Sequence, residues 1–182
     1  VPARHIADVE VADELDVAGD RLNEVPLGDL LVVDVVEQLH PRACDLADDL
    51  EAARKEGKRF AIMWELKGCP YCKETHFVNF AQAYIADYIK ANFEITLLNI
   101  IGSLKVTDFD GEVLPEKELA KKYGVRYTPT FQFFGEDPAK LKTLPPLKRE
   151  VARAPGYFRP DDFLASLRTS STMFCGLMCS WM

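Results

Sequence analysis

Two cysteines stand three residues apart where a predicted strand is followed by a predicted helix. The strand is the apolar stretch at residues 60–66, and a helical pattern of apolar side chains extends over residues 76–89. Between them lies the sequence Cys-Pro-Tyr-Cys at residues 69–72. A Cys-x-x-Cys pair in this position indicates a redox-active dithiol, although the pair alone would also suit half of a zinc site.

The start of the helix explains why the first cysteine is the expected nucleophile. Backbone N–H groups in the first helical turn have no acceptor within the helix and favour a nearby negative charge, which lowers the pKa of a thiol. Pro70 suits this turn because its missing N–H would have had no acceptor there. We therefore expect Cys69 to be the exposed attacking thiolate and Cys72, one turn deeper, to be the resolving thiol.

The composition favours one globular domain and argues against two classes of protein. The chain has 182 residues, 48% of them hydrophobic, which is enough for one sizeable core. Its net charge of −7 argues against a nucleic-acid-binding surface. No apolar run reaches the roughly 20 residues that a membrane helix needs, so we expect no membrane insertion. No secretory segment precedes Val1, so the compartment is not read directly from the chain.

The chain contains five cysteines, and an odd number fits one working pair plus spare thiols better than a framework of structural disulfides. A zinc site built on the pair and His76 would need a fourth ligand from a distant cysteine or histidine. Structural zinc sites usually come as two paired motifs, so we predict no metal and no organic cofactor. The cysteines outside the motif are Cys44, Cys175 and Cys179.

The sequence divides into an extension, a domain and a tail. Residues 1–43 are acidic and rich in valine and carry no motif, so we predict a non-catalytic extension. Residues 44–168 carry the clear secondary-structure signals and form the predicted domain. Residues 169–182 follow the last predicted helix, and we expect a frayed C-terminal tail there.

Apolar periodicity predicts four helices and four strands within the domain. The helix that starts at Pro70 carries aromatic residues at three- and four-residue spacing, which predicts one aromatic face packed inward. The order helix, strand, helix, strand, helix, strand, strand, helix predicts an α/β fold with a central mixed sheet of about four to five strands flanked by helices. The predicted helices are residues 45–57, 70–89, 115–123 and 161–168, and the predicted strands are 60–66, 93–100, 130–134 and a segment between 141 and 154.

A second motif is the sequence Tyr-Thr-Pro-Thr at residues 127–130, directly before an apolar strand. Proline at the entrance of a strand is unusual unless it serves a turn or a cis peptide bond. Together with the cysteine pair, Thr128 and Pro129 favour a redox site over half of a zinc site.

With both motifs present, residues 45–168 resemble the thioredoxin-like thiol–disulfide oxidoreductases. More narrowly, they resemble the periplasmic thioredoxins of bacterial sulfur-oxidation clusters, the SoxW-like group. The resemblance rests on residues 65–72, 106–111 and 118–134. It implies a thioredoxin-like fold, a periplasmic location, protein disulfides of sulfur-oxidation proteins as substrates, and a membrane thiol donor that re-reduces the pair.

The resemblance also implies roles for residues around the pair. In the thioredoxin fold a cis-proline loop lies beside the cysteines and offers backbone groups to an extended substrate chain, a transient strand addition. Here Thr128 and Pro129 would hold the substrate. Tyr71, between the cysteines, is expected to be exposed and to contact the partner.

Two departures from ordinary thioredoxins leave the direction of electron flow open. The residues between the cysteines are Pro-Tyr, as in glutaredoxins, and not Gly-Pro. Ordinary thioredoxins bury an aspartate six residues before the first cysteine, where this chain has Met63. Glu65 follows on the same side of the strand, so it either accepts the proton of Cys72 in place of that aspartate or is a solvated residue at the strand end.

Two other functions are compatible with the motifs. A glutathione-dependent, glutaredoxin-like reductase would share the Pro-Tyr pair, although residues 101–124 and the additional N-terminal helix make this chain large for one. A non-catalytic peptide-binding module would use the groove at Pro129 without redox chemistry. The two intact cysteines argue against the second function.

Overall fold

The computed structural model describes residues 45–175, with side chains described to residue 170. A π-helical turn, Thr75–Asn79, follows the second helix, and a 3₁₀ turn, Pro146–Lys148, precedes the last strand. The helices are α1 (Leu46–Lys55), α2 (Pro70–Glu74), α3 (Ala83–Asn92), α4 (Glu116–Lys122), α5 (Pro138–Thr143) and α6 (Pro160–Cys175). The strands are β1 (Arg59–Glu65), β2 (Phe93–Asn99), β3 (Lys105–Thr107), β4 (Val113–Pro115), β5 (Thr130–Phe134) and β6 (Glu150–Pro155).

Four strands form the central sheet in the order β2-β1-β5-β6. β1 and β2 are parallel, whereas β5 is antiparallel to both β1 and β6. The remaining two strands, β3 and β4, pair with each other as a small hairpin. The predicted α/β fold with a mixed sheet covered by helices is confirmed, with four strands in the sheet.

Strand β1 separates two hydrophobic clusters because its side chains alternate between the two faces of the sheet. Ala61 and Met63 pack on the face covered by α3 and α6. Phe60, Ile62 and Trp64 pack on the face covered by α1 and α4. All five side chains are buried, so the strand that ends at the cysteine motif is the centre of the molecule.

The prediction of one continuous helix over residues 70–89 is wrong. The chain passes from α2 into the π-helical turn, and Gln82 has an extended backbone before α3 begins. A π-helical turn places more residues in each turn, so side chains at regular spacing no longer share one face. Phe80 is buried, whereas Phe77 and Tyr84 are 49% and 46% exposed, which contradicts the predicted inward aromatic face.

Other differences concern short elements and helix ends. The polar stretch after β2 contains the hairpin β3–β4, and α5 lies before the 3₁₀ turn; neither was predicted. The last strand is β6, which lies at the end of the range predicted for it and extends one residue beyond, to Pro155. The last helix continues to Cys175 instead of ending at Arg168, so the first part of the predicted tail is helical. The predicted extension at residues 1–43, together with Cys44 and Cys179, lies outside the described residues.

A buried group of charges holds the β3–β4 connection against α4 and β6. The Asp108 carboxylate has a fully buried side chain, accepts from the Tyr123 hydroxyl at 2.7 Å and from Arg149 Nη1 at 2.8 Å, and also pairs with Lys122. Arg149 Nη2 donates to Asp110 at 2.7 Å. Each buried charge therefore has an oppositely charged, hydrogen-bonded partner, which is the condition under which burial of charge is tolerated.

A second carboxylate organises the turn between β2 and β3. Glu116 is buried at the start of α4, and its two oxygens accept from the backbone N–H groups of Asn99 at 2.8 Å and Leu104 at 3.3 Å. Gly102 passes so close that a Cβ atom there would lie 1.8 Å from Glu116 Oε2. The glycine is therefore required by the position of the carboxylate.

Gly102→Ala is expected to destabilise the protein by about 1–3 kcal/mol, the usual cost of forcing extra volume into a packed site. The added methyl group must displace Glu116 from its backbone partners. Urea unfolding followed by circular dichroism measures the loss. Gly135→Ala is the matched control, since a Cβ there meets its nearest atoms at 3.8 Å. Equal stability of the two variants would contradict the argument.

Candidate active site

Cys69 is the N-cap residue of α2, directly after the loop that leaves β1. Its Sγ accepts a hydrogen bond from the backbone N–H of Cys72 at 3.2 Å, and Pro70 occupies the first turn. Its Sγ also lies 3.5 Å from the carbonyl oxygen of Thr128. Both cysteines are free thiols; Cys69 is half-buried and Cys72 is buried.

The surroundings of the two thiols shift their pKa values in opposite directions. Partial burial opposes ionisation of Cys69, but hydrogen bonds with the side chains of Cys72 and Thr128, together with those from the backbone N–H groups of Cys72 and Tyr71, outweigh burial and lower its pKa. Burial, followed by the hydrogen bond with Cys69, raises the pKa of Cys72 to about 12. Cys69 therefore ionises first, and Cys72 holds its proton.

Alkylation of the reduced protein is expected to separate the two thiols by pH. A lowered pKa means that the Cys69 thiolate is present at a pH where an ordinary thiol is protonated, so iodoacetamide should modify it first as the pH rises. Peptide mass spectrometry across a pH series reports each cysteine separately, with free glutathione as the reference thiol. Modification of Cys72 before Cys69, or of Cys69 together with glutathione, would contradict the assigned order.

The Thr128–Pro129 loop lies beside the cysteine pair. Its peptide bond is cis, and Pro129 is buried. The carbonyl oxygen of Pro129 accepts from the backbone N–H of Gly156 at 2.7 Å, and the Thr130 hydroxyl donates to the carbonyl oxygen of Tyr127 at 2.8 Å. These bonds fix the loop between the cysteines and the connection from β6 to α6.

Three tyrosines come from the three segments that meet at the site. Tyr71 is 56% exposed and stacks on Tyr157, with ring centroids 6.2 Å apart. Tyr127 is 69% exposed and precedes the loop residue that contacts Cys69. Tyr157 was missed by sequence reasoning because only the folded β6–α6 connection brings it to the cysteine pair.

Glu65 makes a contact that neither sequence interpretation included. Glu65 is the last residue of β1, and its side chain is mostly buried. Its carboxylate forms a hydrogen bond with Nε2 of His76 in the π-helical turn. Among the described residues, no hydrogen bond joins Glu65 to Cys72. Glu65 is therefore not simply solvated, and its role as the proton acceptor of Cys72 stays a prediction.

The described part of the chain offers neither a metal-binding cluster nor a membrane-spanning helix. Between residues 45 and 170, no group of three or more His, Cys, Asp or Glu side chains is arranged to bind a metal ion. Within the same stretch, no helix combines the length and apolarity needed to cross a bilayer.

Comparison with known proteins identifies the family. The sequence profile of the thioredoxin-like domain matches residues 46–171. The chain therefore belongs to the thioredoxin-like domain family, and the mixed sheet flanked by helices is a thioredoxin-like fold. This fold is consistent with thiol–disulfide oxidoreductase activity. No curated protein matches the sequence.

Several solved structures are similar to this chain. A thioredoxin from Thermus thermophilus is 23% identical, with a TM-score of 0.53 over 73% of this chain and 90% of that one. A thioredoxin-fold protein from Helicobacter pylori is 25% identical, with a TM-score of 0.46 over 62% of this chain and 68% of that one. The oxidoreductase DsbH is 13% identical, with a TM-score of 0.46 over 72% and 88%. The Thermus structure supports the fold.

Proposed function

We propose that the protein is a thiol–disulfide oxidoreductase that acts through Cys69 and Cys72. The observation that carries the proposal is the position of Cys69 at the N-cap of α2, where its Sγ accepts from the backbone N–H of Cys72 at 3.2 Å while the Cys72 thiol is buried. A nucleophile that is ionised and partly exposed, beside a buried thiol that keeps its proton, is the arrangement that stepwise disulfide exchange needs.

The exchange proceeds in two steps. The Cys69 thiolate attacks one sulfur of the substrate disulfide, a mixed disulfide forms, and the other substrate sulfur leaves as a thiolate that takes up a proton. Cys72 then loses its proton and attacks Cys69. The second substrate thiol is released, the enzyme holds a Cys69–Cys72 disulfide, and two electrons have passed to the substrate.

Substrate docking is assigned to the groove beside the cysteines. The backbone of Thr128 and Pro129 borders Cys69 and would pair with an extended chain by strand addition. Tyr71 supplies an exposed apolar surface at the same place. A substrate disulfide held on this groove would present one sulfur to the Cys69 thiolate.

The biological setting belongs to the same proposal. We assign the reduction of periplasmic protein or sulfur-carrier disulfides, with sulfur-oxidation proteins as partners and a membrane thiol donor restoring the dithiol. The support is the sequence resemblance at residues 65–72, 106–111 and 118–134. The protein's own exchange steps use no metal or organic cofactor.

Insulin reduction in the presence of dithiothreitol tests the activity. The full chain should accelerate precipitation of the insulin B chain, and precipitation at the uncatalysed rate would overturn the proposal. A parallel assay coupled to glutathione reductase separates the glutaredoxin-like alternative, which would show glutathione-dependent turnover. The reduction potential then gives the direction: about −270 mV marks a reductant and about −120 mV a strong oxidant.

A further inference from the structure

The connection between β6 and α6, residues 156–159, is attached to the cis-proline loop. The backbone N–H of Gly156 donates to the carbonyl oxygen of Pro129 at 2.7 Å. Gly156 has a φ of 86°, and a Cβ atom there would meet nothing within 4 Å, so the glycine is needed for its backbone conformation and not for space. The direction in which the connection leaves the loop, and with it the position of Tyr157, is therefore set at Gly156.

Asn79 is the second attachment point of this connection. It is the last residue of the π-helical turn, its side chain is fully buried, and its Nδ2 donates to the carbonyl oxygen of Phe158 at 3.0 Å. Its Oδ1 is also buried and has no hydrogen-bond partner among the described residues. A buried amide with one unpaired atom lowers stability, and an apolar side chain at this position would avoid that loss. What the amide supplies is the position of Phe158, so Tyr157 lies between two anchored residues.

The rings of Tyr71 and Tyr157, here called the tyrosine stack, lie almost parallel. Their centroids are 6.2 Å apart and their planes meet at 18°. Tyr71 stands between Cys69 and Cys72 in the sequence, and its side chain is exposed. The tyrosine stack therefore joins the first turn of α2 to the β6–α6 connection, and it offers apolar ring surface next to the attacking thiolate.

We propose that the tyrosine stack is the specificity determinant of the redox site, and that Asn79 is the positioning residue that holds Tyr157 on Tyr71. The substrate it selects is a protein segment in extended conformation with an aromatic or large aliphatic side chain next to its reactive cysteine. This inference rests on the function proposed above and adds no chemical step to it.

The way in which a substrate chain docks supports this choice of substrate. An extended chain that pairs with the backbone of Thr128 and presents its sulfur to Cys69 brings the residues next to its own cysteine to the same groove. A large apolar side chain that covers the tyrosine stack loses its contact with water, which favours binding. In glutathione the residues on either side of the cysteine end in charged groups and carry no apolar side chain. The tyrosine stack therefore gives glutathione disulfide no such gain.

Two peptide disulfides test this selectivity directly. They are symmetric dimers of end-blocked Gly-Phe-Cys-Gly and of end-blocked Gly-Ser-Cys-Gly, which are uncharged and differ in one side chain. The reduced full chain is mixed with each peptide, the reaction is stopped with acid, and chromatography gives the second-order rate constant of reduction. We expect the phenylalanine peptide to react about tenfold faster than the serine peptide in the parent protein, the scale of one partly buried aromatic side chain. Tyr157→Ser should bring that ratio to within about twofold of unity, whereas Tyr157→Phe, which keeps two stacked rings, should retain it.

The ratio of the two rate constants also separates positioning from general damage, because a distorted site slows both peptides alike. Asn79→Leu and Asn79→Ala each remove the donor to Phe158 together with the unpaired oxygen. In whichever of them folds, as checked by circular dichroism, the ratio should fall by about threefold or more. Tyr84→Ser is the matched control, since Tyr84 is a half-exposed tyrosine on α3, and it should keep the parent ratio.

A ratio near one in the parent protein, or an unchanged ratio in Tyr157→Ser, would overturn the selectivity assigned to the tyrosine stack. An unchanged ratio in the folded Asn79 variant would overturn the positioning role. Failure of the parent protein to reduce either peptide would instead overturn the proposed function.

Discussion

Replacing Cys69 by serine is expected to abolish disulfide reduction, with a loss of roughly 10³-fold or more in insulin turnover, because the pKa of Cys69 is lowered whereas that of the remaining thiol, Cys72, is raised. Cys72→Ser should behave differently. The Cys69 thiolate still attacks, but the mixed disulfide has no resolving thiol and accumulates as a covalent complex with the substrate. Non-reducing gel electrophoresis detects that complex directly.

The same assay contains its own control. Cys175→Ser removes one thiol outside the motif. This variant should retain turnover within about twofold, because Cys175 lies at the end of α6 and not in α2, the helix that carries the cysteine pair. Retained turnover in Cys69→Ser would show that the pair does not carry the chemistry. A stable complex formed by Cys69→Ser but not by Cys72→Ser would reverse the two roles.

Arg149→Leu is expected to cause the largest loss of stability, about 3–5 kcal/mol, because it leaves buried charge without its partner. The guanidinium is nearly fully buried and donates to Asp108 and Asp110, and its Nε donates to the carbonyl oxygen of Leu144 at 2.9 Å. Removal leaves Lys122 as the remaining cation beside Asp108 and takes away the hydrogen bond to the Leu144 carbonyl. Urea unfolding measures the loss as a lower midpoint, with an unchanged slope of the free energy of unfolding against urea concentration.

Arg159→Leu is the matched control, because its ion pair with Asp162 is 3.6 Å long and highly exposed. Exposed pairs of this kind contribute at most about 1 kcal/mol, so the control should remain close to the parent. Similar losses in both variants would show that burial of Arg149 does not determine its contribution.

The acid dependence of stability provides a second measurement on the same network. Burial opposes ionisation of Asp110, but its hydrogen bonds with Arg149 and Lys122 outweigh burial and hold its pKa well below the usual range. The stabilisation is therefore fully present above the ordinary aspartate pKa and is lost as the pH falls toward the depressed folded-state pKa. Arg149→Leu should lose less of its remaining stability than the parent over that acidic range.

Local sequence signals were sufficient for the sheet and for the cysteine pair. β1 is a continuous apolar run, and β5 follows a proline, so both were predicted close to their observed bounds. The hairpin β3–β4 was missed because strands of three residues are too short to show alternation. The π-helical turn was missed because the pattern of apolar residues in the sequence does not distinguish a π-helical turn from an α-helix.

The contacts that complete the site depend on tertiary structure. Glu65 and His76 are eleven residues apart and belong to different elements, so no local pattern pairs them. Tyr157 reaches Tyr71 only because β6 lies beside β5 at the edge of the sheet. The pattern around residue 65 therefore indicated a carboxylate near the cysteines, but it could not indicate that this carboxylate contacts His76.

Strand β1 has hydrogen-bonded neighbours on both edges and a hydrophobic cluster on each face. Backbone amides in such a strand are released to solvent only when the whole domain opens, so they should be the last to exchange with deuterium. The cysteine pair is thus attached to the most slowly exchanging segment, whereas the loops around Tyr127 and Tyr157 lie at its exposed end. The sulfur atoms are therefore anchored to the part of the domain that opens last.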